Sequence, residues 1–369
     1  MNRSNRILPV YTGDVSGACS ALFELGGMVV IHDPSGCNST YNTHDETRWY
    51  DHDSLIFITG LTERDAILGN DDKLIRDVVD TARELRPHFI ALCNSPIPWI
   101  NGTDFAAISH LIERQTDIPC FHVKTNGMHD YVVGAGNALA EIARRFVVNK
   151  PQVKDTVNIL GVTPLDYHQT EASGELKRFC DEQGLTVTSC WAMGSTLDDL
   201  ARAAEASVNL VVSAAGLAAA KVLRERFGTP YVVGTPDAGG ADLSAFRSTL
   251  AQALRNASSS GQCAYPCRDA RPQDVTGTCF IVCDPVVGGS LAAAQSLSGM
   301  AATRVVCPTE AAPELLAPCD IAADGEEEAE AALASATSVT ADRFYEAVLP
   351  EGATLTPLPH LAFSGRNAL

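Results

Sequence analysis

Short apolar runs alternate with amphipathic stretches along this chain, and that alternation sets the first expectation. Segments 28–31 (MVVI), 55–58, 89–92, 121–123, 157–160, 185–188, 208–212, 231–233, 279–283 and 304–307 read as buried strands. Between 73 and 85, the apolar residues Leu74, Ile75, Val78, Val79, Ala82 and Leu85 fall on one helical face. Similar helices fit 131–147, 171–181, 197–206, 217–227, 242–256 and 291–298. Strands alternating with helices predict parallel sheets covered on both faces. Two breaks interrupt the pattern: Asn149-Lys150-Pro151, and the Ser-, Gly-, Pro- and Arg-rich stretch 258–277. The expected fold class is therefore α/β, with three doubly wound, Rossmann-like parallel-sheet modules at 1–150, 151–265 and 266–369. The acidic tract 324–330 reads as a solvated face or a helix start.

A length of 369 residues suits two or three domains. Lys plus Arg is 27 against 45 for Asp plus Glu, a net charge of −18. That balance disfavours nucleic acid or an anionic membrane as the main partner, because both are bound through basic surface. No apolar run reaches the roughly 18 residues of a spanning helix. The first residues carry no apolar core of a secretory signal, so a cytoplasmic location is expected. The 12 cysteines are then free thiols rather than a disulfide framework: buried apolar residues, metal ligands or catalytic groups.

Ligands of open α/β sheets collect at the carboxyl ends of strands. Cys37 sits in a turn just after the strand 28–31. Cys93 directly follows 89–92. Cys19 lies in a small-residue segment ahead of a helix-like stretch. Thiolates suit iron–sulfur clusters. The wide spacing matches no local ferredoxin or zinc pattern, so the residues alone leave cluster ligation and inert cysteines both open. Cys263-x-x-x-Cys267 lacks a second pair for zinc, and the remaining cysteines read as structural. Segment 38–53 is dense in polar and aromatic groups, among them His44. It reads either as a solvated loop or as a cleft wall that delivers protons. Val287-Gly288-Gly289-Ser290 reads as a glycine turn opening a helix, and no Walker-type Gly-Lys-Ser/Thr is present.

The three cysteines fall in the order and context of the cluster ligands of the nitrogenase component 1 family, which the chain resembles. That family includes dark-operative protochlorophyllide reductases and the nickel-tetrapyrrole reductive cyclase. Segment 59–69 with Lys73-Leu74 resembles its Glu-x-Asp-x-x-x-Gly…Lys-Leu stretch. Residues 194–200, Val208-Asn209-Leu210-Val211-Val212 and Phe227-Gly228-Thr229-Pro230 follow its middle-domain succession, and Phe280-Ile281-Val282-Cys283-Asp284-Pro285 resembles the opening of its last domain. The resemblance implies that Cys19, Cys37 and Cys93 hold an oxygen-sensitive iron–sulfur cluster, either 4Fe-4S or an eight-iron type. It implies a catalytic component of an ATP-dependent two-component reductase, fed by a separate nitrogenase-reductase-like iron–sulfur ATPase, acting on a small molecule or a tetrapyrrole in an inter-domain cleft. His44 and His360 are its candidate catalytic residues. Ser213 stands where nitrogenase anchors its iron–molybdenum cofactor through a cysteine, so no such cofactor is expected. His360 resembles the second anchor. The expected assembly is a homodimer with its cysteine triads near the two-fold axis, or a heterodimer with a paralogue. The rival reading is a cofactor-assembly scaffold that binds a metal-cluster precursor or tetrapyrrole without turnover.

Overall fold

A computed structural model of the chain describes residues 6–34, 46–49, 52–167 and 171–365. Three parallel sheets follow one another along the sequence. The first holds β1 (Met28–His32), β2 (Leu55–Ile58), β3 (Ile90–Asn94) and β4 (Cys120–Val123) in the order β2-β1-β3-β4. The second holds β5 (Thr156–Leu160), β6 (Thr186–Cys190), β7 (Val208–Val211) and β8 (Tyr231–Val233), ordered β6-β5-β7-β8. The third holds β9 (Cys279–Val282), β10 (Arg304–Cys307), β11 (Ile321–Ala322), β12 (Ser338–Ala341) and β13 (Thr354–Pro357), ordered β11-β10-β9-β12-β13.

Each sheet is built outward from its first strand, so the strand order reverses beside that strand. The reversals lie between β1 and β3, between β5 and β7, and between β9 and β12. At such a reversal the connections leave in opposite directions and open a crevice at the carboxyl ends.

The helices form where the apolar spacing puts them, with local caps at their ends. Asp71–Leu85 starts at Asn70, whose side chain accepts from the Lys73 N–H. It stops at Arg86, in the left-handed region at φ 50°. Its buried face of Leu74, Ile75, Val78, Val79 and Ala82 covers Met28, Val30, Ile90 and Leu92 on one side of the first sheet. The opposite side joins a continuous core that runs through all three sheets. Among the described residues, no helix is long and apolar enough to cross a membrane.

The glycine turn differs from expectation, and the acidic tract follows one of its two readings. The glycines of 287–290 do not open a helix. They lie inside Pro285–Leu297, one turn past its cap Asp284, which accepts from the Val286 and Val287 N–H groups. Gly289 lets that helix pack closely: a Cβ there would stand 2.9 Å from the Cys267 carbonyl oxygen. The acidic tract is the start of the helix Glu326–Leu333, with Glu326, Glu327 and Glu328 in its first turn, where the helix dipole favours them.

Candidate metal centre

Two of the three predicted cysteines meet. Cys93 is the penultimate residue of β3 and pairs in register with Ile31 of β1. It belongs to the strand rather than to the loop after it, because β1 extends the ladder to His32 and Asn94. Cys19 lies inside the helix Asp14–Leu22, not ahead of one. Both side chains are fully buried, and the two thiols are close neighbours that act on each other. That contact, reinforced by burial and by the nearby Glu46 carboxylate, pushes the Cys19 thiol well above its ordinary pKa. Cys37 and His44 lie outside the described residues. Among the described residues, no group of three or more His, Cys, Asp or Glu side chains is placed to hold a metal. What is on view is a pair of soft donors, brought from a helix and a strand to the first sheet's reversal point. That donor chemistry fits an iron–sulfur cluster. Cys180, Cys190, Cys267 and Cys307 also lie in the core, where burial pushes each thiol up to about 12, with Cys190 adding to the rise at Cys180.

The Cys19 helix is fixed by close contact. Its first residue, Asp14, accepts from the Asn126 N–H at 2.7 Å and the Gly127 N–H at 2.9 Å. It crosses the helix Tyr131–Arg145 at two glycines. A Cβ on Gly17 would lie 2.2 Å from the Tyr131 carbonyl oxygen, and one on Gly134 would lie 1.8 Å from that of Asp14. On the other face of the first sheet, a 670 Å³ cavity is lined by His32, Thr59, Asp65, Lys73 and Asp104 over an apolar floor of Val30 and Leu74. The His32 ring meets Thr59 Oγ1 at 2.7 Å, and burial lowers its pKa.

The other two reversal points face each other across a buried polar junction. Ser213 follows β7, and its hydroxyl donates to Gly161 O at 2.7 Å, within hydrogen-bonding reach of Asp166. Asp166, on the short helix Pro164–Tyr167, accepts from the Tyr131 hydroxyl and the Thr163 hydroxyl, each at 2.6 Å. Asp284, after β9, accepts from the Ala214 N–H at 3.0 Å as well as from its own helix. His360 is 2% exposed, stacks on Phe363 at 3.7 Å, and has Nε2 3.6 Å from Asp166 Oδ1. Burial, then mutual repulsion in the case of Asp284, raises Asp166 to about 6 and Asp284 to about 8. The pairing of the two carboxylates has no sequence signature, since Asp166 follows the second sheet's first strand and Asp284 the third's.

Comparison with known proteins places the chain in a family. The family model described as nitrogenase component 1 type oxidoreductase matches residues 14–339. A light-independent protochlorophyllide reductase subunit from Nostoc punctiforme is 26% identical over 221 residues, covering 56% of this chain and 43% of that protein. Its counterpart in Picosynechococcus sp. is 29% identical over 182 residues, 46% of this chain and 35% of that one. The matched stretches thus span under half the length of these relatives. Among solved structures, "Nitrogenase Cp1 at pH 6.5" superposes with a TM-score of 0.66 at 15% identity, covering 97% of this chain and 88% of that one, a likeness of fold. With the family model spanning all three sheets as far as β12, the chain belongs to the nitrogenase component 1 type oxidoreductase family.

Proposed function

We propose that this chain is the catalytic, electron-accepting component of a nitrogenase-like two-component reductase, with an iron–sulfur cluster on Cys19, Cys37 and Cys93. The observation that carries the reading is the Cys19–Cys93 thiol contact at the first sheet's reversal point. When bound, the cluster supplies low-potential electron transfer. The chain's own part is to present buried thiols on rigid elements. Because the contact and burial hold Cys19 protonated, binding metal must release its proton, and loading weakens as pH falls.

A separate iron–sulfur ATPase is the electron source in this reading. The relatives named as protochlorophyllide reductase subunits support a tetrapyrrole as the substrate class. Ser213 donates its proton to a backbone carbonyl within a closed polar junction, which supports a chain without an iron–molybdenum cofactor. The helix Pro96–Ile100, just after Cys93, exposes Ile97, Trp99 and Ile100. The helix Glu63–Leu68 exposes Ile67 and Leu68 at 73% and 70%. The apolar surface of the helix that follows Cys93 supports a homodimer assembled there.

The test is iron and sulfide analysis after anaerobic preparation. Cys19→Ala and Cys93→Ala should each fall to background, while Cys180→Ala and Cys307→Ala keep the wild-type content. Unchanged iron in both of the first two variants would overturn the assignment.

A further inference from the structure

Arg48 is a fully buried cation close to the thiol pair, and it serves neither a surface ion pair nor the apolar core. Its guanidinium binds in three directions. Nε donates to Glu46 Oε1 at 2.7 Å, and Nη2 donates to Glu46 Oε2 at 3.0 Å. Nη2 also donates to the Ser20 carbonyl at 2.8 Å, one residue from Cys19. Nη1 donates to Glu24 Oε1 at 2.9 Å and to the Ala192 carbonyl at 2.8 Å, in the second module. The guanidinium also lies 4.8 Å over the Phe23 ring. Glu46 closes the ring by accepting from the Ser20 hydroxyl at 3.0 Å. Glu24 continues it by accepting from the Gly194 N–H at 2.7 Å.

A buried ion pair of this kind gains little stability over an apolar replacement. Its contribution has to be sought in what it places. Here it joins three parts of the chain: the stretch after the Cys37 segment, the helix carrying Cys19, and the second sheet's loop at 191–194. It also sets a charge. Burial alone pushes the Glu46 carboxyl up, but the Arg48 charge and hydrogen bonds more than reverse this and hold it below its usual value. Paired through both of its oxygens with the buried Arg48 guanidinium, Glu46 is an anion held against the Ser20 hydroxyl, next in the chain to Cys19.

We propose that Glu46 and Arg48 form a positioning pair for the cluster: Arg48 fastens the Cys19 helix to the second module, and the Glu46 charge beside Cys19 sets the reduction potential of the bound group. This rests on the cluster assignment above. A fixed anion next to the ligands disfavours the more negative, reduced state. Glu46→Gln keeps the shape and removes that charge, so it makes the cluster easier to reduce. Glu24→Gln takes a carboxylate from the same guanidinium on the side away from Cys19, and leaves the potential in place.

The experiment uses the full chain, reconstituted anaerobically with iron and sulfide, with iron content and a spectroscopic redox titration as readouts. Glu46→Gln should keep wild-type iron while raising the reduced-to-oxidised ratio at fixed applied potential about tenfold, about 59 mV for one electron. Glu24→Gln should stay within about twofold of wild type, and Arg48→Met should lose iron to a chelator at least about tenfold faster. Iron-loaded Glu46→Gln with an unmoved or lowered potential overturns the charge-setting role, and wild-type iron retention in Arg48→Met overturns the fastening role. A wild-type chain that binds no iron overturns the cluster assignment itself, and this proposal with it.

Discussion

Replacing Asp284 by Asn should make stability less sensitive to pH, because Asp284 is half of a buried carboxylate pair. Asp166 and Asp284 are both buried, and the one basic side chain within ion-pair reach among the described residues is His360, with Nε2 3.6 Å from Asp166 Oδ1. Backbone N–H groups on Asp284 and hydroxyls on Asp166 favour the charged forms. Burial outweighs them, and the pair titrates with apparent values of about 6 and about 8 that belong to the two groups jointly. An unfolded Asp titrates near 3.9, so both folded values are raised. The folded state then binds more protons than the unfolded state between about pH 4 and pH 8. The resulting stability is fully present below about pH 4 and is lost as pH rises through the folded values. At about 1.4 kcal/mol per unit, a four-unit elevation bounds the loss at about 5 kcal/mol, and sharing of the proton brings the expected effect nearer 3. The introduced amide has a single acceptor oxygen and cannot serve both its own helix and the Ala214 N–H, which costs about 1 kcal/mol at every pH. Thermal melts from pH 5 to 9 at fixed ionic strength should therefore cross: the wild type melts higher at pH 5, and Asp284→Asn melts higher at pH 9. The net charge of −18 and the raised Asp130, which titrates at about 6, act in both backgrounds and cancel in the difference. Parallel melting curves would refute the reasoning.

The close crossing of the Cys19 helix should not tolerate a methyl group. Gly134→Ala forces a Cβ against the Asp14 carbonyl oxygen, and should cost about 3 kcal/mol in urea unfolding with loss of bound iron; a cost under about 0.5 kcal/mol would contradict the contact. On the exposed face beside Cys93, Trp99→Asp combined with Ile100→Asp should leave the monomer's melting temperature in place and shift the iron-loaded protein from dimer to monomer by light scattering. An unchanged mass would remove that face from the interface.

Legibility in the sequence follows burial. Strands such as β1 and β9 are apolar on both faces because helices cover both sides, so a continuous apolar run marks them. β12 and β13, with sequences SVTA and TLTP, carry no such mark, because β13 is an edge strand with exposed Thr side chains that dilute the pattern. The end of β3 is hidden for a related reason. Its apolar run stops at Leu92, but backbone pairing with β1 carries the strand through Cys93 to Asn94, and no side-chain pattern records a hydrogen bond. The order of Cys19, Cys37 and Cys93 is readable only through resemblance, since a helix residue and a strand residue far apart in sequence share no spacing rule. In the sequence Arg48 is one more charge in a polar stretch. Only the packing of three elements around it makes it a buried clasp.

The three reversal points give a physical reason for the proposed cluster to fall at the first sheet. All three crevices are made in the same way, by a sheet that grows outward on both sides of its first strand. The first crevice is furnished with sulfur: Cys93, near the end of β3, meets Cys19. The second and third are furnished mainly with oxygen: Ser213 and Asp166 on one side, Asp284 on the other next to the buried thiol of Cys283, with Asp342 after β12 accepting from the His360 N–H at 2.9 Å. Those oxygen donors and acceptors are already committed to one another and to backbone groups, so an entering ligand would have to break buried hydrogen bonds worth more in that setting than in water. Thiols carry no such commitment beyond their mutual contact, and metal binding replaces that contact with stronger bonds to thiolate. The difference between the crevice proposed to bind metal and the structural ones thus lies in the hydrogen-bond demands of the side chains at its mouth.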